Sequence, residues 1–375
     1  MDEDKKLIFA LNTLDPNVIP SHPFIHNDLY DLVELDKVDR NYIYPISINP
    51  SHSRIGVSSI HLSKKVITDA CNGNCKILFN ELWEGHGASF NYQNLFKEII
   101  EYYKIPSNSL GFADGNQLNE SFFKKHNLHG FSFLFFEHKA NGIKVFKKAK
   151  KHCDEVIQQT ATLPYRFLNL NRVPKLHRSI IAQEMFLNHN SKSLWSYTTT
   201  DVDNVSNHLM SYGGNDLFIN MLPKIIDVDN TVNDNSVNFE IQKQAYINII
   251  TESIFDKTST VFHTEKIFKP IATGQPFILV GTPNSLLKLR QLGYRTYNNL
   301  INEHYDTIED PKARIKEIIK EINRLSSMTQ NEFSNLMSEC YKISKHNISV
   351  MQKRVLENHT YNELKNNIIR WQNNS

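Results

Sequence analysis

Acidic and basic side chains stand together in the stretch TEKIFKPIATGQPFILVG, where a predicted helix follows a predicted strand. Thr264 fits the N-cap of that helix, and Glu265 and Lys266 come directly after it. A helix N-terminus offers free N–H groups and a partial positive charge, and Lys266 adds a full charge, so both favour a phosphate. Glu265 is suited instead to accept hydrogen bonds from the vicinal hydroxyls of a ribose. A nucleoside diphosphate therefore accounts for both side chains.

The preceding strand pattern, AYINIITES, ends beside another acid, Glu252. Ligands of parallel α/β sheets bind outside the carboxyl ends of the strands, so we expect Glu252 to share a crevice with Glu265 and Lys266. Periodicity alone leaves a second interpretation open. In that interpretation Glu265 only complements the helix dipole and Lys266 is solvated.

A second group of polar and basic side chains lies in the stretch NLNRVPKLHR. Asn171 and Arg172 end a predicted strand, and Lys175, His177 and Arg178 precede or open a predicted helix. An arginine can bind a diphosphate through two parallel hydrogen bonds, which a lysine cannot do. The stretch therefore predicts a second cationic site, and the alternative is a basic loop that faces solvent.

The N-terminal half has a comparable cluster in NELWEGHG, where Glu81, Glu84 and His86 follow a predicted strand. A carboxylate or an imidazole at this place could remove a proton from an acceptor hydroxyl group. Glu84 is our preferred candidate for such a base. The alternative is that these side chains only cap the next helix.

Metal-binding patterns are weak in this chain. Two Asp-Val-Asp tripeptides, Asp201–Asp203 and Asp227–Asp229, could hold a divalent ion beside a diphosphate, but matches of three residues arise easily by chance. Cys71 and Cys75 are close in sequence, yet no matching Cys or His pair follows them. We therefore expect no essential metal and no cofactor.

Strand and helix patterns alternate along the chain, which is typical of parallel sheets covered on both faces. Predicted strands include CKILFN, SLGFAD, FSFLFF, YRFLNLN, AYINIITES, PFILVG and YRTY, and the chain beyond Glu309 is predicted to be largely helical. These patterns predict an α/β protein with two domains. We place an N-terminal acceptor-side domain at residues 1–160 and a nucleotide-binding domain at 161–350. A C-terminal helix at 351–375 is expected to pack back on the first domain.

The overall composition is that of an ordinary globular protein. The 375 residues include 42 Lys and Arg and 40 Asp and Glu, so the net charge of +2 gives no sign of a polyanion-binding protein. The N-terminal sequence MDEDKKLIFALNTLD does not have the form of a signal peptide. No apolar stretch approaches the roughly 20 residues that span a bilayer. We expect a cytoplasmic protein of a bacterial or virus-infected cell.

The stretch INIITESIFDKTSTVFHTEKIFKPIATGQPFILVG resembles the donor-binding signature of the α-1,3-fucosyltransferase family. RFLNLNRVPKLHR is similar to the Asn- and Arg-containing segment that precedes that signature. The resemblance covers about residues 164–350 and is closest to fucosyltransferase-like proteins of bacteriophages and bacteria. It implies a GT-B fold, in which two Rossmann-like domains face each other across a cleft. It also implies an inverting, metal-independent transfer of a sugar from a nucleotide-sugar donor.

The resemblance also implies a role for individual residues of this chain. Glu265 would contact the ribose, Lys266 and Arg178 would neutralise the diphosphate, and Glu252 would stand near the transferred sugar. Glu84, or else Glu81 or His86, would be the catalytic base. The remaining members of the implied donor-binding set are Asn171, Arg172, Thr264 and Lys269.

The acceptor is left open by the sequence. A glycan is the leading candidate, and a hydroxymethylated DNA base, as in a phage-type DNA glycosyltransferase, is the alternative. DNA binding would weaken steeply with salt, whereas binding of a glycan would not. A different class of function is a catalytically silent module that binds a nucleotide sugar or a nucleic acid. The sequence does not indicate an oligomeric state.

Overall fold

The computed structural model describes residues 6–12, 30–47, 60–81, 92–139, 143–226, 238–256 and 259–373. Internal contacts divide the chain into two compact units. Unit 1 consists of Met1–Phe135, Ser259–Phe262 and Asn358–Ser375. Unit 2 consists of Phe136–Thr258 and His263–Glu357. The chain therefore leaves unit 1 and returns to it twice.

Unit 1 contains a parallel sheet of six strands in the order β2-β1-β3-β4-β5-β6. The strand β4 is buried along its whole length, as expected for a strand that is covered on both faces. The strands are β1 Leu7–Leu11, β2 Tyr30–Glu34, β3 Tyr42–Ser47, β4 Cys75–Glu81, β5 Leu110–Asp114 and β6 His129–Ser132.

The helices of unit 1 cover the apolar faces of this sheet. Phe96 in the second helix packs against Phe79 of β4, Phe112 of β5 and Phe123, with ring centroids between 5.1 and 6.0 Å from its own. Such aromatic contacts place the core of the unit beside β4 and β5. The helices are α1 Lys64–Cys71, α2 Tyr92–Tyr103, α3 Asn119–Lys124 and α14 His359–Asn373.

Unit 2 contains a parallel sheet of four strands in the order β10-β9-β7-β8. The first strand of the unit, β7, lies between β8 on one side and β9 on the other. The direction in which strands are added therefore reverses between β7 and β9, which makes this the topological switch point of the sheet. The strands are β7 Tyr165–Asn171, β8 Ser193–Tyr197, β9 Ala245–Thr251 and β10 Phe277–Val280.

Helices surround this second sheet and continue to the end of unit 2. The helix at residues 143–157 packs on the helices at residues 265–273 and 330–356, so it belongs to unit 2. The helices are α4 Phe135–Lys139, α5 Ile143–Ile157, α6 Leu176–His189, α7 Val202–Leu209, α8 Asp216–Asn220, α9 Phe239–Gln242, α10 Glu265–Thr273, α11 Ser285–Gln291, α12 Pro311–Ser327 and α13 Gln330–Leu356. None of the helices in the described ranges is long and apolar enough to cross a bilayer.

The predicted α/β class with parallel sheets is confirmed, and two individual elements differ from the prediction. The run Phe131–Phe136 is not one strand, because β6 ends at Ser132 and α4 begins at Phe135. Residues 294–297 do not form a strand, and side chains bond to two of their N–H groups. The Arg295 N–H donates to Asn347, and the Tyr297 N–H donates to Glu303.

Candidate functional site

The carboxyl ends of β7 and β9 separate at the switch point of unit 2. Backbone pairing between the two strands runs from Tyr165 and Ala245 to Leu168 and Asn248. Beyond that point side chains join the strands, since Asn169 Nδ2 donates to the Ile249 carbonyl at 2.7 Å. The side chains of Asn171 and Thr251 continue this bridge. The opening of the strands makes the crevice in which ligands of such sheets bind.

Asn171 is therefore a bridge between the two strands. Its Nδ2 donates to Asn169 Oδ1 at 2.6 Å, and its Oδ1 accepts from the Thr251 hydroxyl. The side chain is buried, and both of its polar groups are used inside the protein. The sequence offered a signal for Asn169, because residues two apart on a strand share a face.

The helix α6 begins beside this crevice with an uncapped N-terminus. Its N-cap residue is Lys175, whose side chain makes no capping hydrogen bond. Lys175 Nζ instead donates to the Ser253 carbonyl at 2.6 Å. The first N–H groups of α6 and the positive end of its dipole therefore remain favourable for an anion. Arg172 lies in the same loop with an exposed side chain.

Arg178, in the first turn of α6, is a buried cation with only 4% of its surface exposed. Its guanidinium donates to the Val173 carbonyl at 3.1 Å and to the Glu252 carbonyl at 3.2 Å. Among the described residues no carboxylate forms an ion pair with it, and its Nε has no hydrogen-bond partner. Burial lowers the pKa of Arg178, and the carboxylates of Glu252 and Glu265 oppose that shift. A buried cation with no carboxylate in direct contact favours the binding of an anion.

Glu252 joins the start of α6 to the start of α10. Its carbonyl accepts from His177 Nε2 at 2.8 Å and from Arg178. Its carboxylate, 1% exposed, accepts from the Thr264 N–H at 3.1 Å and from the Thr264 hydroxyl at 2.6 Å. Burial raises the pKa of this carboxyl, although Lys266 and the Thr264 hydrogen bonds oppose the shift. Glu252 thus holds both helix N-termini at the switch point.

The N-terminus of α10 has the cap that the sequence predicts. Thr264 Oγ1 accepts from the Lys266 N–H, and the helix ends at Gly274 with φ of 72°. A Cβ at Gly274 would lie 2.5 Å from Cys153 Sγ, so this position requires glycine for its backbone and for its packing. Pro270 lies inside the helix, which is nine residues long.

Glu265 and Lys266 form an ion pair with 2.9 Å between Oε1 and Nζ. Lys266 Nζ also donates to the hydroxyls of Thr264 at 3.3 Å and Ser253 at 3.4 Å. Burial alone would raise the pKa of the Glu265 carboxyl, but Lys266 and then Lys269 outweigh it and lower the pKa. The Glu265 carboxyl group is therefore ionised at the edge of the crevice.

His177 does not contribute the positive charge that the sequence interpretation gave it. Burial lowers the pKa of His177 to about 3, and the nearby cations Arg178, Lys175 and Arg314 add to the effect. Its ring stacks on Phe255, with centroids 5.0 Å apart and 18° between the planes. Since a carbonyl only accepts, the neutral ring donates from Nε2 to Glu252. His177 is a neutral support of the loop after β9.

The N-terminal candidates fall partly outside the described residues. Glu81 is the last residue of β4 and is buried, and it stands directly opposite Asp114 at the end of β5. The sequence analysis did not select Asp114 as a site residue, although it lies at the end of the predicted strand SLGFAD. Glu84 and His86 lie outside the described residues. Their assignment as candidates for the catalytic base stays a prediction.

Neither Asp201–Asp203 nor any other group among the described residues forms a metal centre. No group of three His, Cys, Asp or Glu side chains there could hold a metal ion. Asp201 caps α7 by accepting from the Asn204 N–H. Asp227–Asp229 lies outside the described residues. The N-terminus of α11 is not open to a ligand in the same way, because the Asp306 carboxylate accepts hydrogen bonds from the Leu286 and Leu287 N–H groups.

Comparisons with known proteins found similar solved structures. No protein-family model matches the chain, and no curated protein matches it. A UDP-forming α,α-trehalose-phosphate synthase from Burkholderia xenovorans is 10% identical with a TM-score of 0.39, covering 75% of this chain and 67% of its own. A glycosyltransferase from Rickettsia africae is 11% identical with a TM-score of 0.42, covering 97% of this chain and 100% of its own.

A third similar structure is the wall teichoic acid polymerase TagF. It is 11% identical with a TM-score of 0.28, and the match covers 95% of this chain and 82% of TagF. At such low identities and TM-scores the likeness carries no argument about this chain.

Proposed function

We propose that this chain is a glycosyltransferase that binds a nucleotide-sugar donor at the switch point of unit 2. The observation that carries the proposal is the buried Arg178 guanidinium beside the uncapped N-terminus of α6. It has no carboxylate partner among the described residues. A diphosphate supplies the missing negative charge and can accept from the free N–H groups of the helix.

The same residues would favour departure of the nucleoside diphosphate. In sugar transfer the bond between the sugar and the diphosphate breaks, and negative charge grows on the departing phosphate. Cations held in place before the reaction stabilise this charge more in the transition state than in the ground state. Arg178 and Lys266 would serve in this role, with Arg172, Lys175 and Lys269 nearby. Glu265 would bind the ribose hydroxyls.

The acceptor is proposed to be a glycan whose hydroxyl group attacks the sugar with inversion and without an essential metal. A carboxylate or imidazole of the N-terminal half would take the hydroxyl proton, and Glu84, His86 and Glu81 are the candidates. The sequence resemblance adds fucose as the first sugar to test. Each of these finer points is separate from the proposed binding of the donor.

Donor binding is tested first by thermal unfolding with ADP, GDP, CDP, UDP and their sugar conjugates. A ligand present at about 100 times its Kd stabilises the folded state by about 2.7 kcal/mol. Glu265→Ala and Lys266→Ala should abolish the shift caused by the true donor. Glu317→Ala and Lys320→Ala, which remove an exposed pair on α12, are matched controls. Normal donor binding by both site variants would contradict the proposal.

Transfer is tested next by release of the nucleoside diphosphate with candidate acceptors. Release that depends on a glycan supports the enzyme, and binding without any release supports the silent binding module. Hydroxymethylated DNA is included as an acceptor over a range of salt concentrations. Acceptance of DNA with steep loss of binding at high salt would favour the DNA glycosyltransferase instead.

A further inference from the structure

The ion pair between Glu265 and Lys266 joins neighbours in sequence at the start of α10. Adjacent residues of a helix do not face each other, so such a pair has poor geometry. Lys266 reaches Glu265 by folding back over the first turn, where it also contacts the hydroxyls of Thr264 and Ser253. The side chains of Lys266 and Glu265 are 29% and 13% exposed, so a ligand at the crevice can reach both.

While the pair is formed, Glu265 occupies the ammonium group that a phosphate would use, and Lys266 occupies the carboxylate that a ribose would use. The Lys266 ammonium is a partner for a phosphate, and the Glu265 carboxylate is a partner for hydroxyl groups. While the two side chains are paired, neither charge is fully available. The pair joins adjacent residues, whose geometry is poor, so a phosphate can compete with Glu265 for Lys266.

We propose that Glu265 and Lys266 exchange partners when a nucleotide binds: the phosphate takes Lys266, and the released Glu265 carboxylate accepts from the ribose hydroxyls. This inference rests on the proposed function and deepens it. The exchange makes recognition of the ribose conditional on the phosphate. A nucleoside without phosphate must compete with Lys266, so the site discriminates against it.

The exchange predicts effects of opposite sign on two simple probes. Lys266→Met should weaken the binding of inorganic pyrophosphate by about tenfold, because a cation is lost. It should tighten the binding of the bare nucleoside by about fivefold, because Lys266 no longer occupies Glu265. Glu265→Gln should tighten pyrophosphate by about fivefold and weaken the nucleoside. If the pair only supported the local structure, both variants would bind both probes more weakly.

A double-mutant cycle separates the exchange from simple charge repulsion. Glu265→Gln should tighten the binding of pyrophosphate in the wild-type protein. It should have little effect in the Lys266→Met background, because that variant has no ammonium group for Glu265 to occupy. Repulsion between Glu265 and pyrophosphate would give the same effect in both backgrounds. The pair of Glu240 in α9 and Lys243 just after it, with 2.5 Å between charged atoms, is the matched control. Glu240→Gln and Lys243→Met should change neither probe.

Calorimetry with pyrophosphate and ligand-observed NMR with adenosine, guanosine, cytidine and uridine measure these affinities in the full-length protein. Thermal unfolding confirms that each variant is folded. Equal effects of Glu265→Gln in the two backgrounds, or weaker nucleoside binding by Lys266→Met, would overturn the exchange. Failure of the proposed function is distinct, since the wild type would then bind none of ADP, GDP, CDP and UDP.

Discussion

Arg178 shows how a single buried side chain can indicate a ligand class. Two backbone carbonyls hold its guanidinium in place, but carbonyls carry no net charge. An isolated buried charge is costly, and in a folded protein it is normally paired or used for binding. The fixed positive charge of Arg178 is therefore stronger evidence for an anionic ligand than exposed arginines or lysines are.

Replacing Arg178 by Lys tests whether shape as well as charge matters. Lysine has one nitrogen, so it cannot hold the Val173 and Glu252 carbonyls and still present a second donor to a phosphate. We expect Arg178→Lys to weaken pyrophosphate at least about tenfold. Calorimetry measures this change, and Arg295→Lys, at an exposed site in unit 2, is the control. Unchanged affinity in Arg178→Lys would remove Arg178 from the site.

The neutral state of His177 gives a prediction about pH. Its pKa is about 3 in the folded protein and about 6.5 in an unfolded chain. The unfolded state therefore binds the proton first, so the stability from this group is complete above pH 6.5 and is lost as the pH falls toward 3. His177→Gln keeps an N–H donor for Glu252 but removes the titration.

The measurement is urea unfolding of wild type and His177→Gln at several pH values. Between about pH 6 and 4 the free energy of unfolding of the wild type should fall by about 1.4 kcal/mol per pH unit more than that of the variant. The same substitution at the exposed His304 is the control. Parallel curves for the wild type and His177→Gln would mean that His177 is not buried in its neutral form.

At the scale of elements, strong local signals allowed correct prediction. Thr264 and Gly274 bound α10 as their capping chemistry predicts, and the apolar runs of β4, β7, β9 and β10 form strands. The run YRTY could not be placed by its pattern, because the Arg295 N–H donates to the side chain of Asn347, 52 residues further along the chain, and the Tyr297 N–H donates to the side chain of Glu303. Local periodicity does not reveal such long-range side-chain partners.

The candidate site likewise has features that local sequence signals predict and features that depend on the folded chain. Its location followed from polar residues at strand ends, which is a local signal. The contacts of Glu252 did not follow, since its carbonyl meets α6 and its carboxylate meets Thr264 only after the sheet has formed. The placement of Glu252 near the transferred sugar, which the resemblance implies, stays a prediction. Its buried carboxylate accepts hydrogen bonds from the Ser253 and Thr264 N–H groups and from the Thr264 hydroxyl.

The contact between Thr264 and Glu252 predicts how α10 is held. Thr264→Val keeps the shape of the side chain but removes the acceptor for the Lys266 N–H and the donor to Glu252. We expect a loss of about 1–2 kcal/mol in the free energy of unfolding. Thr264→Ser should recover most of it, because serine keeps the hydroxyl group. Chemical denaturation measures both variants, and equal losses would argue against the role of the hydroxyl.

At the scale of the whole molecule, the two units are built on the same plan. Both sheets are parallel, and each has a switch point, between β1 and β3 in unit 1 and between β7 and β9 in unit 2. The residues that carry the proposed donor site all belong to unit 2. The last 18 residues of the chain, Asn358–Ser375, belong to unit 1. A change in that final segment should therefore affect unit 1 first.

Trp371 in α14 is the residue through which this can be tested. Its ring lies 5.3 Å from that of Phe131, its Nε1 donates to the Asn108 carbonyl at 2.8 Å, and a Cβ at Gly111 would lie 2.7 Å from it. Trp371→Ala leaves a cavity against β5 and β6, which we expect to cost about 3–5 kcal/mol. Hydrogen exchange should become faster in β4, β5 and β6 but not in β7 and β9. Pyrophosphate affinity should be retained, and Arg370→Ala, an exposed neighbour, is the control. Equal acceleration of exchange in both sheets would show that α14 stabilises the whole chain instead of unit 1.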